Sequence, residues 1–123
     1  MNPHEEWIFK AERDLECSKY ILQINLDDLA AYHAQQCAEK SLKAFLAFSG
    51  LIISKTHKLD ILCLECQVLD AAFLSVYTNA INLNGLDVRF RYPSAVLVPL
   101  RSDVLDAIND AEVILDFVKA KCT

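Results

Sequence analysis

Residues 31–44 read Ala31-Tyr32-His33-Ala34-Gln35-Gln36-Cys37-Ala38-Glu39-Lys40-Ser41-Leu42-Lys43-Ala44. At about 100° per residue, His33, Gln36, Lys40 and Lys43 fall at i, i+3, i+7 and i+10 and stay within a sector of roughly 80°. A helix therefore presents them on one face. Read for function, they are a polar rail for a phosphate or a partner. Read for structure, His33 is a boundary residue with a satisfied hydrogen bond and the lysines are solvated, and spacing alone favours this plainer reading. The helix extends from about Asp27 to Ser49, with Asn25, Asp27 and Asp28 offering cap chemistry before it and Gly50 standing where a C′ residue belongs.

Working outward, Trp7, Ile8, Ala11, Leu15, Ser18, Ile21 and Leu22 follow the three-and-four spacing of an amphipathic helix over about Glu5 to Gln23. Asp14 and Lys19 fall outside that stripe. Only a short connection separates this helix from the next, so the two pack antiparallel. Beyond Gly50, Leu51 to Lys55 reads as a loop, Thr56 as a cap, and about Lys58 to Cys66 as a shorter helix. Periodicity continues from Asp70 to Asn82 through Ala71, Ala72, Leu74, Tyr77 and Ile81, leaving open whether residues 58–82 form one helix or two. Asn82-Leu83-Asn84-Gly85 carries turn chemistry, and Pro93 and Pro99 keep the following residues out of regular helix. The result is a loop of about 17 residues, a length that marks function or mobility. A last helix, capped by Ser102 or Asp103 and running to about Lys119, turns Val104, Ala107, Ile108, Ala111, Ile114, Leu115 and Val118 inward. The expected fold is all-α: an antiparallel up-and-down four-helix bundle with an additional short helix, forming one domain over residues 1–123.

Composition agrees. A chain of 123 residues fits one core. With 54% hydrophobic residues, two Gly and three Pro, it is neither disordered nor a turn-dense β sandwich. Charged and polar residues interrupt every apolar run well short of the ~20 residues that cross a bilayer, which excludes a membrane protein. The opening Met1-Asn2-Pro3-His4-Glu5-Glu6 is acidic where a secretory signal is basic and then apolar, which predicts a cytoplasmic location. Five cysteines, mostly within apolar helical patterns, read as reduced thiols. Cys63 and Cys66 form a CxxC, but no second Cys or His pair stands at metal-finger spacing, so the pair reads as a partly buried helix turn and no metal site is expected. A net charge of −5 argues against general nucleic-acid binding. Seven of the twelve basic residues nonetheless sit in two acid-free segments: Lys40, Lys43, Lys55 and Lys58 between Glu39 and Asp60, and Arg89, Arg91 and Arg101 between Asp87 and Asp103. They build either a local anion site or an ordinary solvated surface. Arg91 precedes an aromatic and a proline that hold it extended, so it can offer its planar fork to a phosphate, or pin the loop through a salt bridge.

The 31–44 segment is also where the chain resembles the HEPN family. The family's second helix carries an aromatic-His pair, Gln-Gln, a small residue, Ala-Glu-Lys and Leu-Lys-Ala, matched here by Tyr32-His33, Gln35-Gln36, Cys37, Ala38-Glu39-Lys40 and Leu42-Lys43-Ala44. Trp7 with Ala11, Asp14 and Leu15 is similar to its opening helix, Gly50 with Thr56-His57-Lys58-Leu59 to its helix-two exit, and Arg91-Tyr92-Pro93 to its Arg-Tyr-Pro loop. The resemblance implies a helical bundle that forms a homodimer, pairs with a minimal nucleotidyltransferase, acts in toxin–antitoxin systems in several branches, and binds a nucleotide such as ATP, with no other cofactor. Other branches are metal-independent ribonucleases with an Arg four to six residues before a His. This chain departs there, because its last histidine is His57 and every arginine except Arg13 lies beyond it. The tyrosine anchored to that His, which the partner nucleotidyltransferases modify, is absent with it, and Tyr92 does not replace it. The expectation is a non-catalytic subunit with nucleotide-binding or anion-binding candidates His33, Gln36, Lys40, Lys43, His57, Arg91 and Tyr92. The alternatives are a divergent ribonuclease acting through His33 or His57 with Arg91, and a ligand-free helical scaffold.

Overall fold

The computed structural model describes residues 1–94 and 96–123, leaving Ala95, inside the expected long loop, outside the description. The first helix, α1 (Pro3–Gln23), starts two residues earlier than the apolar stripe predicts. Asn2 and Glu5 form a reciprocal capping box: Asn2 Oδ1 accepts from the Glu5 N–H at 3.2 Å and Glu5 Oε1 from the Asn2 N–H at 3.4 Å, with Pro3 supplying a pre-set φ at the first helical position. It ends in a left-handed Asn25 (φ 64°), which lets the Leu26 and Asn25 N–H groups reach back to the Ile21 and Leu22 carbonyls. Helix α2 (Asp27–Phe48) ends the same way: Gly50 at φ 76° brings the Leu51 N–H to the Leu46 carbonyl.

Residues 51–58 carry no regular structure and lead to α3 (Leu59–Leu69). The question left open over 58–82 resolves into three pieces: α3, a 3₁₀ segment Ala71–Val76, and α4 (Tyr77–Leu83). Asp70 causes the break. It is extended (φ −151°), and its side chain accepts from the Ala72 N–H, starting a tighter turn. That turn shifts the helical phase, so Phe73, Val76, Ala80 and Leu83 face inward, while Ala71, Ala72, Leu74 and Ile81 of the expected stripe are exposed and Tyr77 is only half-buried. The loop expected after Asn82 begins with one helical turn, α5 (Leu86–Arg89), opened by Gly85 at φ 84°. Helix α6 (Arg101–Lys121) then runs back along the bundle and buries the seven expected residues. It begins without a side-chain cap from Ser102 or Asp103. The fold class is as expected: a helical bundle, with no strand among the described residues.

Helix α2 is the axis of the bundle. Its small inward residues Ala30, Ala31, Ala34, Cys37, Ala38 and Ala44 let α1 and α6 approach closely on either side, and Ser18 of α1 donates to the Ala30 carbonyl at 2.6 Å. Toward its C-terminal end the residues grow larger: Leu42, Phe45 and Leu46 meet Phe73, whose ring centroid lies 4.4 Å from that of Phe45 and 4.9 Å from that of Phe117. Cys63 and Cys66 are part of this core on α3, in contact with the Phe73 and Leu42 carbonyls and fully buried where the CxxC reads in sequence as a partly buried helix turn. Arg101 fastens the N-terminus of α6 to the α1–α2 turn. Its guanidinium donates to both Asp27 carboxylate oxygens, the Leu22 carbonyl and Asn25 Oδ1.

Candidate functional site

Two polar clusters lie side by side along α2. The first centres on Asp14 of α1, a residue that the apolar stripe of α1 assigns to solvent but that is largely buried. It faces the sequence-predicted rail. His33 Nδ1 lies 2.9 Å from Asp14 Oδ1, and Lys40 Nζ donates to Asp14 Oδ2 at 2.6 Å. A carboxylate only accepts, so Nδ1 of His33 carries the proton and Nε2 of the neutral ring is left as an acceptor. The imidazole is thereby oriented. Beside it, Lys40 also lines a surface pocket of about 560 Å³ together with Lys10, Arg13 and the carboxylates Asp14 and Glu16. Three cations against two carboxylates give this pocket a positive balance on an acidic protein.

The second cluster centres on Glu39, which is only 4% exposed. Gln35 donates to its Oε1 at 3.2 Å, Lys43 to its Oε2 at 3.1 Å, and His57 Nδ1 lies 3.1 Å from both oxygens. Burial alone would raise this carboxyl's pKa, but the hydrogen bonds from His57, Lys43 and Gln35 outweigh it and hold it below the ordinary value. Lys43, itself buried, completes a desolvated ion pair, and its ammonium lies 5.8 Å from the centre of the Trp7 ring. Gln35 also donates to the His57 carbonyl at 3.3 Å and accepts from Gln36 at 2.7 Å. Asp87 of α5 completes the group: one ligand-type atom from each of Glu39, His57 and Asp87 lies within 4.8 Å of the others.

A family model described as the HEPN domain matches residues 4–121. The chain belongs to the HEPN domain family. A candidate toxin of Methanocaldococcus jannaschii, MJ1304, is 28% identical over 127 aligned positions, which cover 92% of this HEPN chain and 84% of the relative. The crystal structure of ST0689, an archaeal HEPN homologue, superimposes with a TM-score of 0.79 at 30% identity over the whole of both chains. That of TT1696 from Thermus thermophilus superimposes with a TM-score of 0.81 at 23% identity over 98% of this chain and 99% of that one, a likeness of fold.

In this HEPN domain the predicted rail divides. His33 and Lys40 turn toward Asp14, Lys43 toward Glu39, and Gln36 sits between them bonded to Gln35. Arg91 joins the first group, its guanidinium 5.3 Å from the centre of the Tyr32 ring, which packs edge-on against His33. Tyr92 is exposed. His57 belongs to the other cluster. The acid-free segments do not converge as units, because Arg101 is spent on Asp27 and Arg89 lies over Phe90. Instead Lys40 is joined by Lys10 and Arg13 of α1. The residues that sequence reasoning missed are Asp14, Gln35, Glu39, Asp87, Lys10 and Arg13. A signal for three of them was present, since Asp14, Gln35 and Glu39 all stand inside the matched family segments.

Proposed function

We propose that this HEPN protein is a nucleotide-binding or accessory subunit that pairs with a minimal nucleotidyltransferase in a toxin–antitoxin type of system. The observation that carries the reading is the cationic edge of α2. Lys40 stands between the oriented His33 and the Lys10–Arg13 pocket, and Arg91 flanks the same helix over Tyr32. Ammonium and guanidinium groups beside accessible aromatic rings suit a ligand that combines phosphate with a flat base. Gln36, bonded to Gln35 on the same helix, and the exposed Tyr92 next to Arg91 in sequence are the further candidates for this edge, whereas His57 belongs to the Glu39 cluster. Lys43 supports it from inside, because its ammonium is committed to Glu39. Membership of the HEPN family and similarity to a candidate toxin support the same assignment. Among the described residues no helix is long and apolar enough to cross a membrane.

The reading includes a homodimer. Ile52 (99% exposed) and Val68 (87%) are among the large apolar side chains that one bundle leaves uncovered. Sedimentation at micromolar concentration should give twice the 13.9 kDa chain mass, and a monomer would remove this part. Co-expression with a minimal nucleotidyltransferase from the same genome tests the pairing: a complex that survives gel filtration is expected, and two separate peaks would refute it.

One observation favours a second reading, metal-independent RNA cleavage. Asp14 orients His33 as a general base is oriented, with Arg91 close enough to the same aromatic ring to stabilise a phosphate. Cleavage by the purified protein in the presence of EDTA, abolished in His33→Ala, would replace the accessory-subunit reading with this one.

A further inference from the structure

We propose that Glu39, His57 and Asp87 form a binding site for a divalent transition metal of the zinc class. The three residues come from α2, the irregular segment before α3, and α5, and their ligand-type atoms lie within 4.8 Å of one another. Their proximity is built by contacts that involve no metal. Asn84, three residues before Asp87, accepts from the Leu59 N–H at 2.9 Å and donates to Asp60 at 2.9 Å, tying the start of α3 to the start of α5. Gln35 holds the His57 carbonyl against α2 at 3.3 Å. The segments carrying the three ligands are therefore held by three hydrogen bonds from two side chains, Asn84 and Gln35.

The donor set selects the metal class. One imidazole nitrogen with two carboxylate oxygens suits zinc, cobalt or nickel, whereas calcium and magnesium favour all-oxygen shells. Charge agrees. With His57 neutral, Glu39 and Asp87 contribute two negative charges against the single positive charge of Lys43, so a dication meets a net charge of −1. Glu39 already has the outer contacts of an oriented ligand, Gln35 on Oε1 and Lys43 on Oε2. Tetrahedral coordination with bonds of about 2.1 Å places ligand atoms about 3.4 Å apart, so a pair at the 4.8 Å limit closes by up to about 1.4 Å, while His57 Nδ1 and Glu39, now 3.1 Å apart, open slightly. The exposed His57 ring and the half-buried Asp87 can rotate to do so. His57 would give up its hydrogen bond to Glu39 and move its proton to Nε2, which frees the Nδ1 lone pair for the metal. A bound cation would clamp α5 onto α2 and so anchor the loop that carries Arg91.

Titration of the full chain with cobalt(II), a spectroscopic stand-in for zinc, tests the site under reducing conditions. The expected result is a saturable ligand-field absorption at a single equivalent, without thiolate-to-cobalt charge transfer. Affinity should fall by more than about tenfold in His57→Ala and in the near-isosteric Asp87→Asn, and be retained in Cys17→Ser with Cys122→Ser. No saturable band, a thiolate charge-transfer band, or an affinity unchanged in Asp87→Asn when that variant is folded by circular dichroism would overturn the proposal.

Discussion

Replacing Glu39 with Gln leaves the Lys43 ammonium buried without a counter-charge. The two side chains are 6% and 7% exposed, so solvent cannot take over the role of the lost carboxylate. Breaking a desolvated pair from one side costs about 3–5 kcal/mol. For a chain of 123 residues the unfolding entropy is roughly 0.26 kcal/mol/K, so the melting temperature should fall by about 12–19 °C at neutral pH. Removing both charges is different. Glu39→Leu combined with Lys43→Met should recover more than half of that loss, because the desolvation cost disappears with the pair. The acid limb carries a second signature. Glu39 titrates below its ordinary value of 4.5 when folded, so its contribution is present above that value and is lost as the pH falls through the folded pKa. The wild-type melting temperature should therefore drop more steeply on acidification than that of Glu39→Gln. Thermal unfolding followed by circular dichroism from pH 7 to pH 3 measures both effects. A neutral-pH loss below about 1 kcal/mol in Glu39→Gln, the range of exposed pairs, would refute the desolvated-pair argument.

Three further outcomes are expected. Arg101→Ala should lose about 1–2 kcal/mol in urea denaturation, a half-exposed guanidinium's share of its charged hydrogen bonds, and Arg101→Lys should restore little because an ammonium cannot make the forked contact. Leu42→Ala should cost about 2–5 kcal/mol in the same assay by leaving a cavity at a fully buried site. A thiol reagent should label Cys17 of the native protein first, Cys122 more slowly because partial burial raises its pKa, and Cys37, Cys63 and Cys66 only at the rate of unfolding, since these three are buried and burial pushes the Cys37 pKa up to about 12.

Much of the fold was legible because α1, α2 and α6 are long enough for periodicity to average over local exceptions. The face of α6 was read residue by residue. Residues 71–82 were misread where a single extended aspartate, Asp70, inserts a 3₁₀ turn and shifts the phase, an effect that a fixed angle per residue cannot register. Helix starts failed differently. Asn2-Pro3 with Glu5 is a readable capping box that an apolar stripe overlooks, and the cap expected at Ser102 or Asp103 is not formed because the helix begins at Arg101 after Leu100, which places both residues inside its first turn. At the site, the polar rail on α2 was visible from spacing, but the two carboxylates that organise it were not. Asp14 lies off the apolar stripe and reads as solvent-facing, although its bonds to His33 and Lys40 offset the cost of burying it there. Glu39, His57 and Asp87 are too far apart in sequence for any ligand spacing to connect them, and they meet only through the packing of α5 against α2 and the hydrogen bonds that hold the His57 segment on Gln35 and Glu39.

The central claim is that the cationic edge of α2 receives a nucleotide. Calorimetric titration of the protein with ATP at low and moderate salt tests it most directly, with Arg91→Ala and Lys40→Ala alongside. The account predicts saturable binding that weakens with salt and falls by at least about tenfold in either variant, the loss of one charge-assisted contact of roughly 1.4 kcal/mol or more. Absence of heat with the wild-type protein, or binding that both variants leave unchanged, would contradict it.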